Sequence, residues 1–171
     1  MLNNSRSLYG TIWNKGGLLL TAIINKNGYE LIECISLNEH ELINYEPLAG
    51  SYAVVRYDGN YLICFNTWRK QWEVPAGGRN DNEMAKECAI RELFEETAQV
   101  VQDMDFKGLL KVGKPDGTIK YNPIFYTELD YIVPFKNNNE TDRILFWNLT
   151  EDVGYIDEVD EAVLKWCKSI S

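Results

Sequence analysis

Histidine is almost missing from this 171-residue chain, which has one, His40. Zinc sites and catalytic triads built on histidine are poorly supported, so a general base is expected to be a carboxylate, and His40 itself reads as a surface residue. Cysteine is scarce too. Cys34, Cys64, Cys88 and Cys167 form no C-x-x-C pair and lie among apolar neighbours, which reads as small buried hydrophobes in a reducing cytoplasm. Basic residues are outnumbered, 17 against 26 acidic, for a net charge of −9. That argues against a nucleic-acid polymer as partner, since such binding rests largely on neutralising phosphates with Lys and Arg. A small phosphorylated ligand stays open, because a bound divalent cation reverses the field of an acidic site. Long apolar runs are also lacking. The longest near the start, Gly17 to Ile24, is about half of the roughly 20 residues a bilayer crossing needs. It follows Arg6 and Lys15 as a signal peptide would, but Asn25-Lys26-Asn27-Gly28 comes next in place of a small-x-small cleavage pattern. We read it as a buried strand ending in a turn, with no membrane partner.

What is there fits one domain. Hydrophobic residues make up 45% and charged residues 25%, ordinary for a soluble globular chain. The first fifty residues predict β structure: Leu18 to Ile24 and Tyr29 to Ser36 flank Asn27-Gly28, a hairpin signal, and Glu39 to Ile43 a short helical turn. Tyr52 to Tyr57 and Tyr61 to Phe65 flank Asp58-Gly59-Asn60 as a second hairpin. Asn66 to Gln71 reads as a loop, and Trp72-Glu73-Val74 as a short strand stopped by Pro75. From about Asn82 to Thr97, Ala85, Ala89, Ile90, Leu93 and Phe94 recur at helical spacing, with Asn80, Asp81 and Asn82 as candidate N-caps. Phe106 to Val112 and Ile119 to Tyr126 predict strands joined by the turn Lys114-Pro115-Asp116-Gly117, with Leu129 to Phe135 as a continuation. Ile144 to Leu149 predicts another strand, and Asp157 to Ile170 an amphipathic helix with Val159, Val163, Trp166 and Ile170 inward. The expected division is a β-rich extension over 1–49 and a main domain over 50–171.

The chemistry concentrates on the central helix. At about 100° per residue, Glu92, Glu95 and Glu96 fall within an arc of roughly 100°. Like charges at that spacing repel, and the usual reason to keep them together is a hard cation such as Mg²⁺ or Mn²⁺. Ala85 and Cys88 are small and lie one turn earlier in the same arc, so a loop can approach there. The Trp72–Gly78 segment is the candidate; its glycines permit close approach to a ligand and its exposed carbonyls can complete an oxygen shell. Arg91 falls beside Glu87 and Glu95 and can orient a ligand carboxylate. An isolated E-x-x-E-E is usually only a solvated face, Glu83 near a helix start serves equally as a cap or dipole partner, and Gly77-Gly78 alone reads as a turn.

Gly77, Glu83, Arg91, Glu92, Leu93, Glu95 and Glu96 together match the Nudix box, G-x5-E-x7-R-E-U-x-E-E-x-G-U, where U is aliphatic. A chance match at seven spaced positions has odds on the order of one in 10⁷ to 10⁸ per starting point. The approach Trp72-Glu73-Val74-Pro75-Ala76 also resembles that family. Two positions depart: Ala98 stands in place of the box's last Gly, which normally helps end the helix, and Gln99 in place of its last aliphatic. Asn80 and Asn82 stand where many members have Glu and Gly.

The resemblance implies an α/β/α sandwich around a mixed sheet and hydrolysis of a nucleoside diphosphate linked to a group X. It implies that Glu92, Glu95 and Glu96, with the carbonyl of Ala76, hold Mg²⁺ or Mn²⁺, and that Glu95, Glu96 and Arg91 serve catalysis. A late-loop carboxylate acts as base in many members; Glu140 is the candidate, with Asp142 and Glu128 behind it. Trp68 and Arg69, with Gly77 and Gly78, are candidates for substrate contact by stacking, phosphate clamping and close backbone approach. Members acting on ADP-ribose often carry a Pro about sixteen residues past the box, where Pro115 stands, although the usual flanking Ser-Pro-Gly is absent. In that subgroup N-terminal strands often build a homodimer. Two alternatives stay open: a pyrophosphohydrolase of nucleoside triphosphates, and a nucleotide-binding module without turnover.

Overall fold

The computed structural model describes residues 11–13 and 19–171. Arg6, Lys15 and the start of the first apolar run, Gly17 and Leu18, lie outside the described residues. Strands β1 (Thr11–Trp13) and β2 (Leu19–Thr21) pair antiparallel in a ribbon of their own. The short β3 (Ile23–Ile24) and β4 (Glu30–Ile35) flank the Asn27–Gly28 turn, where Gly28 sits at φ 81°. A 3₁₀ helix covers Glu39–Asn44, as the sequence predicts. The second hairpin joins β5 (Ser51–Tyr57) to β6 (Asn60–Asn66) through Asp58 (φ 46°) and Gly59 (φ 80°), the paired positive φ values that match the twist of a tight hairpin.

There follow β7 (Gln71–Glu73), β8 (Ala76–Gly77), helix α1 (Ala85–Thr97), β9 (Asp105–Gly113), β10 (Ile119–Glu128), β11 (Thr141–Trp147) and helix α2 (Glu158–Ser169). The main sheet has nine strands in the order β11-β6-β5-β10-β9-β4-β3, with β7 on β6 and β8 on β5. β5 and β10 run parallel and the other neighbours antiparallel, so the sheet is mixed, as expected.

Period-two alternation along β5 sorts the core into two layers. Ala53 and Val55 face α1 and pack with Ala89, Leu93, Met104 and Phe125. Val54, between them, faces α2 and packs with Val159, Val163, Leu164 and Cys167. One helix thus covers each face of the sheet. Fully burying a side chain such as Leu93 contributes on the order of 2–3 kcal/mol.

Four local expectations need correction. Helix α1 begins at Ala85 rather than near Asn82: Met84 is its N-cap and its N–H is taken by Glu87 at 2.9 Å. Asn82 sits at φ 63°, in the left-handed region, and cannot start the helix. Phe94 points outward and is 56% exposed, because the buried stripe is narrow and runs through Cys88, Ala89 and Leu93. Residues 129–135 do not continue β10. Gln99 draws this stretch away, its side-chain amide donating to Val133 O at 2.8 Å and accepting from Val133 N at 2.9 Å. The residue that departs from the family's aliphatic is thereby buried and fully used. Finally, α2 turns Val159, Val163, Leu164 and Cys167 inward and leaves Ile170 exposed.

Candidate active site

Helix α1 presents its carboxylates to the short ribbon β8. Ala76 donates its N–H to Glu96 Oε2 at 3.0 Å. Gly77 accepts from the Cys88 thiol at 3.3 Å. A Cβ on Gly77 would lie 2.2 Å from Glu92 Cδ, so only glycine lets the ribbon pass this close to the glutamate. One glycine earlier in the sheet matters too: a Cβ on Gly50 would stand 1.8 Å from Gly77 O, and its absence seats β8 against β5.

Arg91 gathers the remaining acids. Its Nε and Nη2 bond Glu83 Oε1 and Oε2 at 2.7 and 2.9 Å, and Nη2 also bonds Gly78 O at 2.8 Å. Its Nη1 reaches Glu92 Oε1 at 2.6 Å and Glu95 Oε2 at 3.1 Å. Glu87, the other expected neighbour, instead caps α1. The bidentate bond from Arg91 holds Glu83 down to about 2.

Glu96 has no such cation. It is buried, and that burial, followed by the negative charge of Glu140 and then Glu92 and Glu73, pushes its carboxyl well above the ordinary range. Glu92 is also raised, first by burial, against the opposing pull of Arg91. The charge of Glu140 contributes to both shifts. Its loop hangs on the end of α1: Asn138 Nδ2 donates to Glu95 O at 3.0 Å, and Thr141 Oγ1 to Glu96 O at 2.6 Å. Asp142 instead pairs with Arg143 at 2.9 Å, and Glu128 is exposed at the end of β10.

The cation implied by the family resemblance can be tested on this arrangement. The donors are all oxygen, which suits Mg²⁺ or Mn²⁺ rather than a soft metal. Glu96 is buried with no ion pair among the described residues, while Arg69 and Arg91 pair with acids around it. Arg91 engages Glu92 and Glu95, and among the described residues no three acidic, His or Cys side chains converge as a finished coordination shell. The residues fit a hard cation that takes the Glu92 and Glu95 oxygens over from Arg91.

A cleft of ≈ 840 Å³ borders β8. Its lining includes Gly77, Gly78, Arg69, Lys120, Glu73 and Asp157, and it meets the α1 carboxylates at Gly77. Arg69 bonds Glu73 at 2.7 Å and leans toward Glu140 at 3.9 Å. Trp68 projects from the same turn, 66% exposed. The floor is acidic and buried. Asp160 accepts from Tyr52 Oη at 3.0 Å and Val74 N at 2.8 Å, and Asp157 from Asn25 Nδ2 at 2.8 Å. Burial raises Asp157, Asp160 and Glu73. None of these three was singled out from the sequence. Only Asp157 carried a local signal, standing just before an amphipathic stretch as the N-cap of α2.

Comparison with known proteins gives these features relatives. The sequence profile described as "NUDIX domain" matches residues 48–168. The chain is 28% identical over 111 residues to proteins named phosphatase NudJ, from Escherichia coli and Shigella flexneri, covering 64% of this chain and 72% of those. Its fold superposes on the pyrophosphohydrolase BsRppH of Bacillus subtilis with a TM-score of 0.65 at 16% identity, over 88% of this chain and 97% of that one. It also matches the NUDIX domain of Shewanella oneidensis NrtR, solved with ADP ribose, with a TM-score of 0.61 at 17% identity, over 78% and 99%.

Proposed function

This chain belongs to the Nudix family and is a hydrolase of pyrophosphate bonds, and from that premise we propose that it cleaves a nucleoside diphosphate linked to a group X, such as ADP-ribose or a nucleotide sugar, with Mg²⁺ or Mn²⁺ bound. The observation that carries the reading is Glu96, buried and hydrogen-bonded to the β8 ribbon that also lines the cleft, its carboxyl raised by burial and by the charges of Glu140, Glu92 and Glu73.

In this reading Glu92, Glu95 and Glu96, with the carbonyl of Ala76, hold the cation. Once bound, the cation neutralises the pyrophosphate and makes a water easier to deprotonate. Glu140 takes the proton of the attacking water, and Arg91 orients the glutamates. Gly77 and Gly78 let the pyrophosphate approach the backbone, Arg69 clamps a phosphate, and Trp68 stacks at the rim. The cleft has the volume for a two-part conjugate. Pro115 stands where the ADP-ribose subgroup has its proline, and its Cγ would lie 3.3 Å from a Cβ on Gly28, in the turn whose Asn25, Asn27 and Tyr29 line the cleft. The segment before residue 50 serves as an extension through which two copies pair, a point that light scattering in solution decides.

The experiment is to incubate the protein with Mg²⁺ and a panel of nucleotide conjugates and triphosphates, and to identify products by mass spectrometry. Two phosphate monoesters from a conjugate are expected. A nucleotide plus inorganic pyrophosphate, from triphosphates alone, would move the assignment to the triphosphate alternative. Full activity after exhaustive chelation would remove the cation from the mechanism.

A further inference from the structure

Asn66, the last residue of β6, is fully buried and uses every polar atom of its side chain. Its Oδ1 accepts from the N–H groups of Trp68 and Arg69, both at 3.0 Å, which fixes the turn after the strand. Its Nδ2 is shared between two carboxylates, Glu73 Oε2 at 3.0 Å and Glu140 Oε1 at 3.0 Å. Next to it, Thr67 donates to Glu140 O through its N–H at 2.8 Å and its hydroxyl at 3.0 Å.

We infer that Asn66 is the positioning residue that aims Glu140 at Glu96, by tying it to the buried Glu73 on the cleft floor. The inference rests on the reading of Glu140 as the base. Two carboxylates within reach of one amide repel each other, and a shared neutral donor holds both without adding charge. Arg69 also faces the pair, 2.7 Å from Glu73 and 3.9 Å from Glu140, but it is half exposed, and Gln71 Nε2 donates to Glu73 and not to Glu140. Asn138 and Thr141 fix the height of the loop above α1. Asn66 fixes the direction of the Glu140 side chain and through it holds the loop to the end of β6, and a misplacement of about 1 Å at a reacting group costs on the order of 10²-fold in rate.

The test is a double-mutant cycle on the full chain with Mg²⁺, using the conjugate of the panel that is cleaved fastest. Asn66→Asp keeps the acceptor for Trp68 and Arg69 but removes the donor to both glutamates. Asn66→Ala removes the donor, together with the acceptor, without a new charge and serves should the first variant fold poorly. Either is expected to lower kcat at least tenfold with KM within twofold, and to add nothing to Glu140→Gln. Hydrogen exchange at residues 137–141 is expected to rise while α1 stays protected. Losses that multiply in the double variant, or unchanged exchange at 137–141, overturn the inference. Wild-type kcat in Glu140→Gln alone removes Glu140 as base, and the exchange measurement then decides by itself whether Asn66 holds the loop.

Discussion

Arg91 and Glu83 meet in a two-pronged pair, Nε to Oε1 at 2.7 Å and Nη2 to Oε2 at 2.9 Å, across the entrance to helix α1. The pair fastens the loop before the helix to the turn that carries the metal-binding candidates. Because Arg91 holds the folded-state value of Glu83 near 2, below its ordinary 4.5, the pair contributes stability that is complete above about pH 4.5 and fades as pH falls toward 2. Glu83→Gln is therefore expected to be less stable than the wild type at pH 7 by a gap that narrows between pH 4.5 and 2. Urea unfolding at pH 7, 5, 4 and 3 measures it, and a gap that grows with acidity would contradict the pairing.

Glu96 calls for the opposite behaviour. An amide at this position keeps the hydrogen bond from Ala76 and discards a buried charge, so Glu96→Gln should fold at least as well as the wild type without metal. Its turnover should fall by a factor of hundreds or more. Near-normal turnover with Mg²⁺ would take Glu96 out of the site.

Cation binding should register as stability. At a free Mg²⁺ or Mn²⁺ concentration of a hundred times Kd, linkage predicts about 2.7 kcal/mol. For a domain of this size that is about 5–10 °C in Tm. Glu96→Gln should lose most of the rise. Equal shifts in both proteins would place the ion elsewhere.

Gly77→Ala should separate chemistry from folding. The added Cβ meets Glu92 at 2.2 Å, and that side chain can swing away at the cost of its position. Activity is expected to drop at least tenfold with a small change in Tm. Gly50→Ala meets backbone at 1.8 Å and should mainly lower Tm. A Gly77→Ala enzyme with full activity would show that Glu92 has no need of its place against the ribbon.

Much of α1 was legible because its signal is local: fixed spacing put Glu92, Glu95, Glu96 and Arg91 on one side of one helix. Its start was not, since three adjacent cap-competent residues compete and the outcome depends on Glu83 being drawn to Arg91 eight residues later. Nor was Phe94, whose hydropathy fits the helical period but whose direction is set by how narrow a stripe β5 and β10 cover. The apolar stretch at 129–135 reads as strand until Gln99 captures Val133 from 34 positions away. Asn66, Glu73, Asp157 and Asp160 come together only through strand pairing and the packing of α2, which no short window contains.

Ala98 closes helix α1 at φ 61°, a left-handed backbone that glycine adopts freely, while its N–H bonds Phe94 O at 2.8 Å. An L-residue there pays about 1 kcal/mol of steric strain. The molecule thus keeps an unspent reserve at the C-terminal end of α1, and a thermally tougher variant is one methyl deletion distant.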